Sequence, residues 1–547
     1  MNILAENKNK LFVWLVGFFY VLVFFLLLKN SFSYLDPDFG WHIKMGQEII
    51  SNLDVPRTNF INYTIYKVSW VDHEWLSGVL TYFIYDKLGY IAVNIFFAFL
   101  ALIAFLIQYF TFKKFFSAGT GSFLIFLAIQ LLGAYASQPS LGVRMQEFTL
   151  LFLAFLLLIF YSYEKKPNKK ILLCLPVLFW FWASLHGGFL LGVGLLGFFV
   201  LIKLAEIIVF KFFQPKFLIK SPLPFKKIVD FSIFGLLSLA ATCLTPYGLK
   251  LYSFLTSYRN DYYLGVLSEW LNQFRYPLVY WQLAFLELLL LVFIWWGLKV
   301  FWFRKGSDEE KISLWNLFLL SLFTFMAFRS KRHFPLLFMV SVPVLAYFLT
   351  TFLNLKNFSL SKKIFTNYLM DKGAKTFFIL VFICSLSLQI VSINFVSDPW
   401  MVFGGKLPYG AVQYLKHNPE YGDLRLFNEF NWGGYLIWTL PGKQLFIDGR
   451  LSQYWYKGRS LLEEYQEFLI PGNAEGKLAE HKIEMVLLES GGKPLVIRPW
   501  KRKLFGVKEK EGLRNKNGYS GLETFLKSSP EWRLVYGDGV ASIYVKK

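Results

Sequence analysis

Charge is scarce in this chain. Only 17% of its 547 residues are Asp, Glu, Lys or Arg, against 55% hydrophobic and 20% aromatic. Soluble globular domains carry about 25% charged residues, so a soluble cytosolic enzyme and a disordered chain are excluded. Cysteine is nearly absent. Cys174, Cys243 and Cys384 all stand inside apolar segments, where small buried apolar side chains are expected, and three such residues cannot build a disulfide-held secreted domain. Also missing are a Gly-rich phosphate loop, a paired CxxC, an internal repeat and a long low-complexity region, so nothing points to a nucleotide cofactor.

What the chain has instead is long apolar runs and a mean hydropathy of +0.44. A helix needs about 20 apolar residues to cross some 30 Å of hydrocarbon. About eleven stretches qualify as expected spans: 11–28, 91–112, 121–137, 145–163, 171–185, 187–210, 230–246, 279–302, 313–328, 333–353 and 376–394. The first resembles a signal peptide but lacks a small-residue cleavage site, so it is read as an uncleaved span. The net charge of +21 is not a nucleic-acid signal, because the lysines and arginines gather in short loops between the runs. With Lys8 and Lys10, one face collects 21 of them. The positive-inside rule makes that face cytoplasmic. The expected protein is a polytopic α-helical protein of the plasma membrane, with its N-terminus cytoplasmic and its long first loop, 29–90, exoplasmic.

From Asp398 onward the spans stop and charges return. Lys443–Asp448, Ile483–Glu489 and Ala541–Val545 alternate as strands do, while 409–417 and 459–469 suit helices. The expected organisation is a transmembrane domain over 1–394 and an exoplasmic α/β domain over 395–547. The basic stretch 501–518 reads as a solvated loop.

Four of the six histidines (His42, His73, His186 and His333) fall at expected exoplasmic ends of spans or in the first loop, and His417 and His481 fall in the C-terminal domain. Around the four gather Asp36, Asp38, Asp72, Glu74, Arg144, Glu147, Glu269, Arg329, Lys331 and Arg332. Ionisable groups at such depths are costly and commonly functional. In Leu35-Asp-Pro-Asp-Phe-Gly-Trp-His42, the paired carboxylates Asp36 and Asp38 suit a general base or the ligands of a divalent cation, magnesium or manganese. Either could equally be a helix N-cap. If 39–52 is a helix, Asp38 and His42 share a face. Asp72-His73-Glu74 offers metal ligands or acid–base support, with capping of the next helix as the alternative. Arg329, Arg332 and His333, with Arg144 as a weaker member, put positive charge on the face where it is disfavoured, and a lipid-linked phosphate would explain it. His186, before two glycines, suits a close helix approach. Glu287, inside a span, calls for a partner in the bundle.

These features together resemble the GT-C superfamily of membrane glycosyltransferases. The resemblance rests on a first span, a long acidic loop, about ten further spans and an exoplasmic domain. Asp36-Pro-Asp38…His42 is similar to the first-loop motif of oligosaccharyltransferase catalytic subunits, in which an Asp helps bind the metal; the spacing leaves Asp36 and Asp38 both open. Asn428–Trp438 and Phe446-Ile-Asp-Gly-Arg450 are placed like that family's Trp-Trp-Asp-Tyr-Gly segment, but Asn431-Trp-Gly-Gly stands where its central Asp would be. This departure argues against sequon glycosylation. The resemblance implies transfer of a sugar, with inversion, from a polyprenyl-phosphate-linked donor to a glycan, lipid or protein acceptor, with membrane lipids as surroundings. Trp432, Tyr435 and Asp448 are acceptor-side candidates, against a structural role as core and turn. Two rival readings stand beside it: a transporter or flippase of a lipid-linked glycan, and a non-catalytic protein of envelope assembly.

Overall fold

In the computed structural model the described residues are 2–116, 120–213, 222–259, 261–275, 278–303, 314–352, 372–490, 498–505 and 520–547. They divide into two compact units. The first comprises 1–34, 94–245 and 279–395, and the second 35–93, 246–278 and 396–547.

The first unit is helical. Among the described residues, helix covers most of each apolar stretch, and six helices are long and apolar enough to cross a membrane: Val13–Ser31, Trp75–Phe115, Phe123–Ser140, Gln146–Lys165, Phe189–Phe212 and Lys331–Thr350. Tyr280–Trp295, Leu314–Arg329 and Ile379–Val391 are shorter apolar helices. The helix Trp75–Phe115 is broken at Gly89, whose φ of 79° is open to glycine and costly for other residues. Some of the polar side chains buried in this unit are paired with one another or with backbone, as a low-dielectric interior favours. The Gln130 amide donates to the Phe105 carbonyl and to Gln108 Oε1, and accepts from the Tyr20 hydroxyl.

Two expectations change here. Glu287 lies exposed on its helix rather than inward. Among the buried ionisable residues of this unit is Lys203, which is fully buried and donates to Glu164 (2.9 Å) and Glu206 (2.9 and 3.0 Å). The expected burial of the cysteines also fails: Cys174 and Cys384 are exposed on their helices, and Cys243 is half-buried. An apolar run does not say which side of its helix faces inward.

The second unit carries a four-stranded sheet in the order β1-β4-β6-β5. The strands are β1 Leu426–Asn428, β4 Met485–Glu489, β5 Trp532–Gly537 and β6 Ala541–Lys546, and a short hairpin joins β2 Trp455–Tyr456 to β3 Arg459–Ser460. β1 pairs parallel with β4 (Phe427 opposite Val486), while β4–β6 and β5–β6 are antiparallel. Leu426, Phe427, Met485, Val486, Leu487 and Ile543 are buried, which explains the apolar runs. The helix Leu461–Leu469 starts at a capping box in which Ser460 and Glu463 satisfy each other's backbone amides.

Helices at Tyr409–His417 and Leu461–Leu469 match the expected ones, as do strands at 485–489 and 541–546. Lys443–Asp448 is not a strand. Its backbone pairs with the first loop instead: Leu445 N–H donates to the Ile61 carbonyl (3.0 Å) and Tyr63 N–H to the Leu445 carbonyl (3.2 Å). Residues 445–448 are buried in succession, with the first loop paired to them, so a run that reads like a strand is covered without joining the sheet. Of the basic stretch 501–518, residues up to Phe505 continue the helix Pro499–Phe505 and the rest lies outside the described residues.

Candidate active site in the second unit

Asp36 and Asp38 have separate local roles. Asp36 Oδ1 accepts the Asp38 amide (3.0 Å) and so closes the turn before the helix Phe39–Asn52. Asp38 occupies the N-cap position in helical geometry, but its side chain makes no capping hydrogen bond. The capping role that competes with chemistry therefore falls away for Asp38, while Asp36 does hold its turn.

Asp38 sits against the C-terminal part of the unit. A Cβ on Gly449 would collide with Asp38 Oδ1 and lie 2.8 Å from its Cγ. A Cβ on Gly434 would strike the Pro37 carbonyl oxygen, and one on Gly40 the Gly434 carbonyl oxygen. Only glycine lets these backbones approach so closely. Phe39 and Tyr435 both pack edge-on against Trp400, with ring centroids 6.0 and 5.0 Å away. The Asp-Pro-Asp, Trp-Gly-Gly and Ile-Asp-Gly-Arg elements thus converge within one unit. Burial first, then the charges of Asp36, Asp448 and Glu269, pushes the Asp38 carboxyl well above the usual carboxylate range.

In the same unit, Glu74 is flanked by two imidazoles: His42 Nε2 at 3.3 Å and His73 Nε2 at 3.5 Å. Burial and the neighbouring His73 hold the His42 imidazole well below its ordinary pKa, which keeps it neutral. Asp72 Oδ1 accepts the Glu74 amide (3.1 Å) just ahead of the helix that begins at Trp75. Its carboxyl is pushed up to about 7 by burial, partly offset by that hydrogen bond and by Arg450.

The acceptor-side candidates lie inside. Trp432 and Tyr435 are buried, and the Trp432 indole N–H donates to the Lys406 carbonyl (3.1 Å). Asp448 is buried with both oxygens on Arg450: Oδ1 accepts from Nε (3.0 Å) and the backbone amide (2.9 Å), and Oδ2 from Nη2 (2.7 Å). Sequence reasoning passed over Arg450 and Gly449 although the Ile-Asp-Gly-Arg motif was visible. A buried arginine beside an aspartate is the signal that would have found them.

The basic candidates belong to the first unit. Arg329 ends the helix Leu314–Arg329, and Lys331–His333 form a short 3-10 turn capped by Ser330. His333 Nδ1 lies 3.2 Å from the Met326 carbonyl oxygen. Arg144 stands in the turn before the helix Gln146–Lys165, where Glu147 accepts the Gly142 amide (2.6 Å). His186 makes a close approach: its Nδ1 accepts the Gly188 amide (2.9 Å) and meets the Thr149 hydroxyl (2.7 Å).

One further cluster has metal-ligand composition: Glu464, Glu480 and His481. Lys477 donates to both carboxylates at 2.8 and 2.9 Å, and Glu464 Oε1 also lies 2.7 Å from His481 Nε2. The ammonium already supplies the positive charge, so this cluster reads as an ion-pair network.

No protein-family model matches the chain, and no curated protein matches it. Among solved structures, the crystal structure of the Archaeoglobus fulgidus oligosaccharyltransferase in the apo form is similar to it. The likeness has a TM-score of 0.52 at 9% identity and covers 87% of this chain and 69% of that one. At that identity it is a likeness of fold.

Proposed function

We propose that this protein is a membrane glycosyltransferase that moves a sugar from a polyprenyl-phosphate-linked donor to an acceptor at the exoplasmic face. The observation that carries the reading is Asp38: a buried carboxyl, not used as a helix cap, facing a glycine and surrounded by the charges of Asp36, Glu269 and Asp448. The fold it shares with an oligosaccharyltransferase supports the same class.

Oxygen donors gathered in this way suit a hard divalent cation. Asp38, with Asp36 or Glu269, would hold magnesium or manganese, which when bound would draw electron density from the donor phosphate. Asp448 is a poorer ligand because Arg450 occupies both of its oxygens. Asp38 would otherwise take the acceptor's hydroxyl proton, and its raised pKa makes it a stronger base than an exposed carboxylate. His42, neutral and paired with Glu74, would orient that carboxylate. Arg329, Arg332, His333 and Arg144 would stabilise the lipid phosphate as charge builds on it, the largest contribution fixed charges can make. Trp432 and Tyr435 would shape the acceptor side from within the core.

Release of polyprenyl phosphate from labelled donors by purified protein tests this reading, beside Asp36→Asn and Asp38→Asn and with and without chelator. Turnover lost in Asp38→Asn supports it. Absence of turnover across donors and acceptors rejects it in favour of transport or scaffolding.

A further inference from the structure

Residues 59–72 of the first loop are fastened to 445–450 along their length. Besides the Leu445 backbone pairs, the Thr64 hydroxyl donates to the Phe446 carbonyl (2.8 Å) and the Tyr63 hydroxyl to the Leu426 carbonyl (3.0 Å). At the end of this seam lies Arg450, 2% exposed. Its fork holds Asp448, and Nη2 also reaches Asn62 Oδ1 (3.1 Å) and Asn59 Oδ1 (3.3 Å). Its guanidinium lies 4.7 Å over the Trp70 ring. Arg450 Nη1 and Asp72 Oδ2 are buried with no hydrogen-bond partner among the described residues, so the arginine's donors are not exhausted by its own loop. Asn59 in turn organises the loop: its amide donates to the Asn62 and Ile65 carbonyls, and its backbone pairs with Val68 and Lys67. The residue before Arg450 is the glycine against which Asp38 rests.

A buried ion pair is weak evidence for stability, since desolvation cancels much of its attraction. What this one does supply is geometry. A guanidinium presents several donors in a rigid plane and stacks on an aromatic ring, which a lysine ammonium cannot do. We propose that Arg450 is a positioning residue: it clasps residues 59–72 of the first loop to the 445–450 segment and so fixes Gly449 against the Asp38 carboxylate. The proposal rests on the reading of Asp38 as the working carboxylate, but the clasp itself can be measured without turnover.

The experiment is hydrogen exchange on the full-length protein in nanodiscs, comparing wild type, Arg450→Lys and Gly449→Ala. Losing a charge-assisted hydrogen bond is worth a factor of about 10 to 100. In Arg450→Lys, the amides of Asn59, Lys67 and Trp70 and the peptide 36–46 exchange at least about tenfold faster, while β4 and β6 keep their protection. In Gly449→Ala, 59–70 stays protected and only 36–46 accelerates. In both variants the rate of carbodiimide labelling at Asp38 changes relative to that at buried Glu464, a ratio that general loosening of the unit would not move.

Wild-type protection in Arg450→Lys, equal acceleration of loop and sheet, or unchanged Asp38 labelling in Gly449→Ala would each overturn the clasp. Should Arg450→Lys fail to fold, Asn62→Ala removes the loop-side acceptor and leaves the Asp448 pair intact, and the same readouts apply. A wild type that exchanges as expected yet consumes no donor sinks the glycosyltransferase reading and leaves the clasp standing.

Discussion

Asp72 gives the most direct check on the electrostatics of the second unit. Its carboxyl has an ordinary value of 3.8 and is pushed up to about 7, chiefly by burial. Between those values the folded chain holds a proton that the unfolded chain has released. Stability therefore falls as pH rises through this window and levels off above about pH 7. The shift is about three units, and each unit corresponds to about 1.4 kcal/mol, which sets an upper bound of about 4 kcal/mol on the loss. Asp72→Asn removes the titration but keeps an oxygen to accept the Glu74 amide. The stability difference between variant and wild type should then start near zero at about pH 4 and grow by up to about 1.4 kcal/mol per pH unit until about pH 7. Taking the difference cancels His42 and every other group common to both proteins. Denaturant unfolding in chelated buffer, followed by tryptophan fluorescence at several values between about pH 5 and pH 8, measures it. Parallel profiles for the two proteins would refute the reasoning, as would a wild type that gains stability over the variant with rising pH.

Asp38→Asn follows the same sign: it should stabilise the protein near neutral pH while abolishing donor turnover and weakening manganese binding, read by thermal unfolding and by paramagnetic resonance. A less stable Asp38→Asn would contradict its raised pKa. Gly434→Ala should cost roughly 1–3 kcal/mol by overpacking against the Pro37 carbonyl, whereas Gly539→Ala, which faces open space, should leave the melting temperature unchanged. In the first unit, Lys203→Met strands two carboxylates and should cost roughly 3–5 kcal/mol. Pairing it with Glu206→Leu should recover part of that loss, and a double-mutant cycle on thermal unfolding in nanodiscs would show an interaction near zero if the pairing is wrong.

The sequence could be read wherever one physical rule acts along the chain. Apolar length placed the helices, and the patterns of 483–489 and 541–545 pointed to the two strands found at 485–489 and 541–546. Asp38 ahead of an apolar-periodic stretch marked the start of the helix at Phe39. Reading failed where the answer depends on what lies across the chain. Lys443–Asp448 reads like a strand, but the first loop pairs with its buried residues and they join no strand of the sheet. Glu287 and Lys203 are both charges in apolar runs, but their opposite exposure is set by which face the neighbouring helices cover.

By itself the sequence determined a mostly helical chain with helices of membrane length, strands near its C-terminal end and a supply of carboxylates and histidines in the first loop, because hydropathy and periodicity are local properties. Only the tertiary structure decided that Asp36 closes a turn while the Asp38 side chain makes no capping hydrogen bond. It also decided that Asp448 is occupied by Arg450, and that Gly434 and Gly449 bring the C-terminal motifs against Asp38. The last of these depends on contacts between residues some 400 positions apart. Desolvation and close packing act between such residues only once the chain has folded.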